Sequence, residues 1–468
     1  MIFGIRQKLK KTSDFIAILK EQREYFYSGE TKSIDFRIAA LKKLATIISE
    51  NEKLLLDSLY ADLKRSEFEG YALDIGPVLT ELKSNIKALR RWAKPKRVGT
   101  PFFLYFGHSK IQYEPLGVTL IIAPWNYPIL LALAPLISAV AAGNCVIVKP
   151  SELSPNCSSA IAEIIGKTFS QKHVAVVEGG PEISESLLEN QFDYVFYTGS
   201  TETGKKVYVA AAKHLTPVTL ELGGKSPCII DKETDLETSA RRIVWGKFIN
   251  AGQTCIAPDY LLVDKSIRNI LLDKIMDQIK IFYGDDPVKS PDYGRIINRR
   301  HFERLSSLFN QGEIVLGGKT DANQLYISPS IIDKVEEHFT IMKDEIFGPI
   351  LPVLEYENIR EAIRIINSKP KPLALYIFSK NKNLVEKVLA ETSSGGACVN
   401  ETIMHIANPN LPFGGVGASG IGNYHGEFGF KTFSHQRSVL YKSFFADIKI
   451  RYAPYSEKSL NWIKRLIG

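Results

Sequence analysis

A chain of 468 residues has material for about two or three domains, each with its own core. Its 45% hydrophobic and 24% charged residues, with 33 glycines and 23 prolines dispersed rather than repeated, exclude wholesale disorder, collagen-like repeats and coiled coil. The net charge of +8 speaks to solubility and weak steering. The dense basic run from Arg90 to Arg97 ends a helical segment predicted over 78–92, contains a proline and carries no nucleic-acid signature, so no nucleic-acid partner is expected.

The five cysteines, Cys145, Cys157, Cys228, Cys255 and Cys398, are odd in number, lie far apart and form no CxxC pair. That speaks against a disulfide framework or a structural zinc site and for a reducing compartment. The N-terminal MIFGIRQKLKKTSDF lacks an apolar core followed by a small-residue cleavage site, so it is not read as a secretory signal and a cytoplasmic protein is expected.

In chain order, residues 10–92 read as amphipathic helices, with apolar positions at three and four spacing such as Ile38, Leu41, Leu44, Ala45 and Ile48. The passage TPFFLYFGHSKIQYEPLG reads as extended strands on the surface or as a partner-facing arm. Residues 118–142 are uncharged and long enough to span a bilayer. Pro124, Asn126, Pro128 and Pro135 interrupt them, which suits a buried strand, a loop and a buried helix. From 117 to 221, short apolar runs (GVTLIIA, CVIVKP, VAVVEGG, YVFYTGS, PVTLELGG) alternate with helical ones, the signature of βαβ units on a parallel sheet and of a nucleotide-binding half. The second half repeats the alternation less regularly, with strands at CIIDKE, YLLVDK, GEIVLGG, LPVLEY and LALYIFS, predicting a second α/β domain that shares a cleft with the first.

Four places carry chemistry. The Gly-rich turn from Tyr197 to Lys206 fails as a P-loop, since Lys206 stands where a magnesium-binding hydroxyl belongs, and serves equally as a phosphate cradle or a plain tight turn. Glu221, ending an apolar strand beside two glycines, is either a desolvated general base or a strand-end charge turned to solvent. Cys255 lies in the turn-rich FINAGQTCIAP, more open in its local sequence than the other four thiols, yet no histidine stands at an informative position to activate it. Asn126, inside PWNYP, either caps a turn or meets an oxyanion.

The motifs PWNYP, VIVKPSE, YTGSTETG, LELGGKSP, NAGQTC, DEIFGPI and LPFGGVGASGIGNYHGEFGFKTFSH occur in the order found in the aldehyde dehydrogenase superfamily, and the chain resembles its class 3 branch of fatty and aromatic aldehyde dehydrogenases. The resemblance implies an α/β fold with a Rossmann-like cofactor domain over 1–97 and 117–222, and a catalytic domain over 223–412. It also implies a small β oligomerisation arm over 98–116 and 430–445, and a tail over 446–468. It implies NAD or NADP without a metal, an aldehyde substrate and a homodimer.

Residue by residue, Cys255 matches the nucleophile, Asn126 with the Cys255 N–H the oxyanion hole, and Glu221 the base that activates water on the thioester. Lys149 and Glu152 match groups that hold the adenosine ribose. Gly199, Ser200 and Gly204 match the diphosphate-side turn, Glu345 and Phe347 residues around the nicotinamide ribose, and Trp125 a further cofactor neighbour. Tyr127, Thr254 and Ile403 suggest an apolar substrate tunnel. The dry cleft, helix dipoles and the cofactor's positive charge are expected to lower the thiol pKa, and Glu152 is expected to favour NAD by repelling a 2′-phosphate.

Two rival readings remain. A CoA-acylating or acyl-phosphate-linked dehydrogenase would share the fold, but a hydrolytic Glu221 would waste its thioester. A non-catalytic structural or binding protein on the same scaffold would not need Cys255, Glu221 and Asn126. The tail from Phe444 to Gly468 mixes aromatic and basic residues, and a packed or loosely ordered tail is expected there over a membrane contact.

Overall fold

A computed structural model describes residues 12–445, 447 and 449–467. The first eleven residues of the N-terminal segment read for a leader, and Ala446, Ile448 and Gly468 of the tail, lie outside the described residues.

The alternating half folds as a parallel sheet. In chain order its strands are Val118–Ile122, Cys145–Lys149, Val174–Val176, Tyr194–Thr198 and Val218–Glu221, and in space they run third, second, first, fourth, fifth. This is the dinucleotide-fold order, which reverses between the first and fourth strands and opens a crevice at their carboxyl ends. The two-residue strand Gly420–Ile421 adds antiparallel to the outer edge, setting Gly420 opposite Glu221. Successive residues face opposite layers, as a strand requires. Val118, Leu120 and Ile122 pack in a core cluster with Phe15, Ile18 and Leu19 of the helix Thr12–Tyr27, while Ile121 belongs to the larger cluster on the other face.

The uncharged stretch divides where its prolines say it should. After Val118–Ile122 the chain turns through Pro124–Tyr127 and enters the helix Pro128–Ala142, all of whose residues are buried. Pro128 opens the helix and Gly143, at φ +98°, closes it, where the Arg37 side chain donates to Ala141 O at 3.2 Å. Among the described residues no helix is long and apolar enough to cross a membrane. The helix Ile34–Glu50 turns Leu41, Leu44 and Ile48 into the core, with Ile38 and Ala45 partly buried against it, as their spacing requires.

The second half carries a seven-stranded sheet in the spatial order Glu313–Leu316, Ser330–Asp333, Ile350–Tyr356, Tyr260–Asp264, Pro227–Ile230, Ala374–Phe378, Gly396–Val399, parallel except at its first edge. The chain then returns to the first sheet. Helix Gly426–Thr432 packs on Pro128–Ala142 so closely that a Cβ on Gly429 would lie 2.3 Å from Ser138 Oγ. A three-stranded antiparallel arm follows, with Gly107–Pro115 paired to Lys96–Val98 on one side and to Ser434–Lys442 on the other. The tail ends in the helix Glu457–Ile467; Phe444, Phe445, Tyr455, Leu460 and Trp462 are exposed, and the Phe445 ring meets Phe106 edge-on at 6.0 Å.

Candidate active site

The carboxyl ends of the first sheet's strands supply one wall of the site. Asn126 follows the first strand; Gly199 and Ser200 follow the fourth, where Ser200 Oγ caps the helix Thr201–Ala212 by accepting from Thr203 N at 3.4 Å. Glu221 is the last residue of the fifth strand and lies in register with Thr198. The other wall comes from the loop after the helix Leu236–Phe248, where Asn250, Ala251 and Gly252 all take positive φ (50°, 51° and 73°) and deliver the chain to Cys255. Gly252 is required there: a Cβ would lie 2.3 Å from Gly348 O.

A buried polar network joins the walls. Asn126 Nδ2 donates to Gln253 O at 3.1 Å, and Asn250 Nδ2 donates to both Asn126 O (2.9 Å) and Gln253 O (3.1 Å). The guanidinium of Arg65 donates to Asn126 O at 2.5 Å and pairs with Asp74, with both side chains fully buried. Asp74 in turn accepts from Leu130 N at 2.8 Å, in the first turn of the helix Pro128–Ala142. Glu69 accepts from Asn250 N at 3.2 Å, and burial pushes its carboxyl up to about 7. Nothing in the local sequence of Arg65, Glu69 or Asp74 marks them, because their roles arise from partners up to 181 positions away. Arg65→Met strands the Asp74 carboxyl and is expected to cost about 3 to 5 kcal/mol in chemical denaturation. Burial already raises Asp74, and without Arg65 its folded value rises further. The loss should therefore deepen as pH rises through that value and shrink in acid, where the carboxyl is protonated in both states.

Two cavities meet at the candidate residues. The first, about 800 Å³, is walled by Tyr127, Thr254 and Ile403 with Phe68, Tyr71, Trp245, Met404, Phe413 and Tyr424, a predominantly apolar set. Tyr127 and Thr254 hydroxyls lie 2.5 Å apart, so one satisfies the other inside that wall. The second, about 690 Å³, opens at the crevice where the strand order reverses and is walled by Trp125, Asn126, Gly199, Ser200, Glu345 and Phe347. Cys255, Glu221, Thr198, Leu131 and Leu222 line both. The Phe347 ring meets Trp125 edge-on at 5.4 Å, and a Cβ on Gly223 would lie 2.0 Å from Glu345 Oε2, so only glycine admits that carboxylate.

Three residues expected at the cofactor stand outside this lining. Lys149 and Glu152 pair at 2.6 Å at the end of the second strand. Gly204 sits inside the helix Thr201–Ala212, where a Cβ would lie 2.6 Å from the Leu222 side chain. Gly204 lets the helix close on the strand end rather than lining the crevice, the close-packing use of a glycine in such turns.

The Glu221 side chain is 2% exposed and neither carboxylate oxygen has a hydrogen-bond partner, so burial pushes its pKa well up. It is not a strand-end charge turned to solvent. Cys255 is the partly exposed thiol of the five, the others being buried. Contrary to the expectation of a lowered thiol pKa, burial first, then Glu345 and Glu221, push it above the ordinary range; the N–H groups of Cys255 and Ile256 pull the other way. Desolvation outweighs the backbone dipoles in the chain by itself. Glu345 is pushed up to about 8 by burial and by Asp259. His301, against Trp125 at 5.2 Å, is pushed down to about 4 by burial and neighbouring arginines, so it is neutral. Among the described residues no cluster could hold a metal.

A thiol and an unpartnered carboxyl between an apolar cavity and a dinucleotide crevice are the equipment for oxidising a carbonyl carbon through a covalent adduct. The comparisons agree. The sequence matches the aldehyde dehydrogenase family over residues 5–439. It is 47% identical over 440 residues to the 4,4′-diaponeurosporen-aldehyde dehydrogenase of Staphylococcus aureus, covering 94% of this chain and 96% of that one. It is 48% identical over 444 residues to aldehyde dehydrogenase family 3 member A2 of Rattus norvegicus, covering 94% and 92%. The solved substrate-bound state of Staphylococcus aureus AldH superposes with a TM-score of 0.95 at 45% identity, covering 98% of this chain and 100% of that one. The chain belongs to the aldehyde dehydrogenase family, in its class 3 branch, and is an NAD(P)-dependent oxidoreductase of aldehydes.

Proposed function

We propose that the chain oxidises medium- and long-chain aliphatic or aromatic aldehydes to carboxylic acids through a thioester on Cys255 that Glu221 commits to hydrolysis. The observation that carries this reading is the position of both side chains in the wall shared by the apolar cavity and the crevice. Cys255 Sγ, its proton given up to solvent water in the cleft, attacks the aldehyde carbon, and the carbonyl electrons move onto oxygen. One N–H of the Asn126 amide is held by Gln253 O, which orients the other, with the Cys255 N–H, toward the developing oxyanion. NAD(P), when bound, supplies the acceptor for the hydride leaving that carbon. Glu221 then takes a proton from water as its oxygen attacks the thioester; the C–S bond breaks and the acid leaves. A CoA-acylating or acyl-phosphate chemistry is disfavoured by a carboxyl without any hydrogen-bond partner beside the thioester carbon.

Asn126→Ala is expected to lower kcat about 10²- to 10³-fold, the usual cost of removing one oxyanion donor, in steady-state assays. The crevice fits the cofactor: its strand order, the cradle at Gly223 and the aromatic Trp125–Phe347 contact suit a dinucleotide. Trp125, Gly199, Ser200, Glu345 and Phe347 would hold it in the crevice, with Gly204 bringing the helix up to it and Lys149 and Glu152 holding its ribose. Glu152 favours a 2′-hydroxyl, while its pairing with Lys149 moderates the repulsion of a 2′-phosphate, so NAD is the better acceptor and NADP is also used.

The substrate reading is tested by kcat/KM for aldehydes of graded chain length with each cofactor. Each buried methylene contributes about 0.8 kcal/mol, so KM should fall roughly fourfold per carbon until the cavity is filled; a profile flat in chain length contradicts it. The open edge of Ser434–Lys442 supports a homodimer in which two arms continue one sheet, a reading that a monomeric mass in sedimentation equilibrium would contradict. Five free thiols support a cytoplasmic setting.

A further inference from the structure

One part of the apolar cavity wall is not apolar. Tyr424 and His425 both line it, each less than a tenth exposed, and neither Tyr424 OH nor His425 Nε2 has a hydrogen-bond partner. Two orphaned polar atoms side by side in a dry wall are costly unless something that enters the cavity pairs with them. Their placement is built. Helix Gly76–Trp92 carries Glu81 and Asn85. Glu81 Oε1 accepts from Asn85 Nδ2 and from Gly426 N, both at 2.8 Å, while Oε2 faces His425 Nδ1 at 3.6 Å. Burial raises the Glu81 carboxyl, but hydrogen bonds from His425, Gly426 and Asn85 outweigh it and hold the group below its ordinary value. With Nδ1 turned to Glu81, Nε2 is the ring nitrogen left without a partner. His425 is held at φ +78°, a conformation rare for a bulky residue, and its ring stacks on Tyr424 at 4.1 Å. Burial keeps the Tyr424 phenol protonated, so it is a donor, and it lies within electrostatic reach of Glu221 and Cys255.

We propose that Tyr424 OH and His425 Nε2, oriented by Glu81, form a hydrogen-bonding subsite in the tunnel wall that selects aldehydes bearing a hydroxyl group at a fixed distance from the reacting carbon. A hydroxyl, which both donates and accepts, is the group that can accept from the phenol and pair with the imidazole nitrogen at once. The inference rests on the reading of the 800 Å³ cavity as the aldehyde tunnel.

The test is a set of straight-chain aldehydes in which one hydroxyl is moved carbon by carbon, with each compared with the unsubstituted aldehyde of the same length. The readout is the ratio of the two kcat/KM values within one protein, so any general loss of activity cancels. In the full-length enzyme the ratio should peak at one position. Tyr424→Phe and His425→Asn should each lower that peak about tenfold. A change of less than threefold at every hydroxyl position in both variants overturns the subsite. That failure leaves oxidation of the unsubstituted aldehydes through Cys255 intact, and so is distinguishable from failure of the catalytic reading.

Discussion

Cys255→Ala is expected to lower kcat for aldehyde oxidation by about 10⁴- to 10⁶-fold, the scale on which removing a nucleophile acts. The change takes away the one atom that can hold the substrate carbon. The variant should keep its fold, because Cys255 is partly exposed where two cavities meet rather than packed in the core. Circular dichroism and a thermal melt close to those of the parent, with no NADH formed above the background rate, are the expected result. The same substitution at Cys145, Cys157 or Cys228 should do the reverse, since each is fully buried: some loss of stability from the missing sulfur volume, with turnover preserved.

Glu221→Gln is expected to divide the reaction in two. The burst of NADH per active site should remain, because acylation of Cys255 does not use the carboxylate, while steady turnover falls about 10²- to 10⁴-fold as the thioester waits for unassisted water. In the parent enzyme the base works only when ionised. Burial raises its pKa, so kcat should climb as pH rises through that value, and the climb should vanish from the residual rate of the glutamine variant. Replacing the neighbouring Glu345 by glutamine removes a charge that raises the Cys255 thiol. The pH profile of thiol alkylation by iodoacetamide should therefore move to lower pH, most visibly above about pH 8 where Glu345 is ionised.

What the sequence discloses is what is written locally. Uncharged runs such as Val118–Ile122 and Cys145–Lys149 are legible as buried parallel strands because both faces are covered. The three-and-four spacing over Ile34–Glu50 is legible as a helix because one stripe is buried. Ser330–Asp333 and Gly396–Val399 are not, since Pro329 directly precedes the first and the pair Gly395–Gly396 straddles the start of the second. The helices Arg299–Ser306 and Lys382–Glu391 bury only Phe302 and Leu305, and Val385 and Val388, too thin an apolar stripe to stand out. The same distinction runs through the site. Cys255, Glu221 and Asn126 stand in distinctive strings. By contrast, the Arg65–Asp74 pair and the Glu81–His425 contact join residues whose meaning exists only once distant elements fold together. The acidic groups that bear on the thiol are hidden for the same reason: Glu345 and Glu221, which raise its pKa in the chain by itself, are neighbours of Cys255 in space and not in sequence.

The central claim is a covalent thioester on Cys255 whose release depends on Glu221. Its most direct test is the intact mass of the Glu221→Gln enzyme quenched in acid after mixing with a long-chain aldehyde and NAD. The account predicts a mass increase equal to one acyl group, mapped by peptide analysis to the fragment carrying Cys255 and removed by hydroxylamine. An unchanged mass in an enzyme that has formed its burst of NADH, or an acyl group on any other residue, would contradict it.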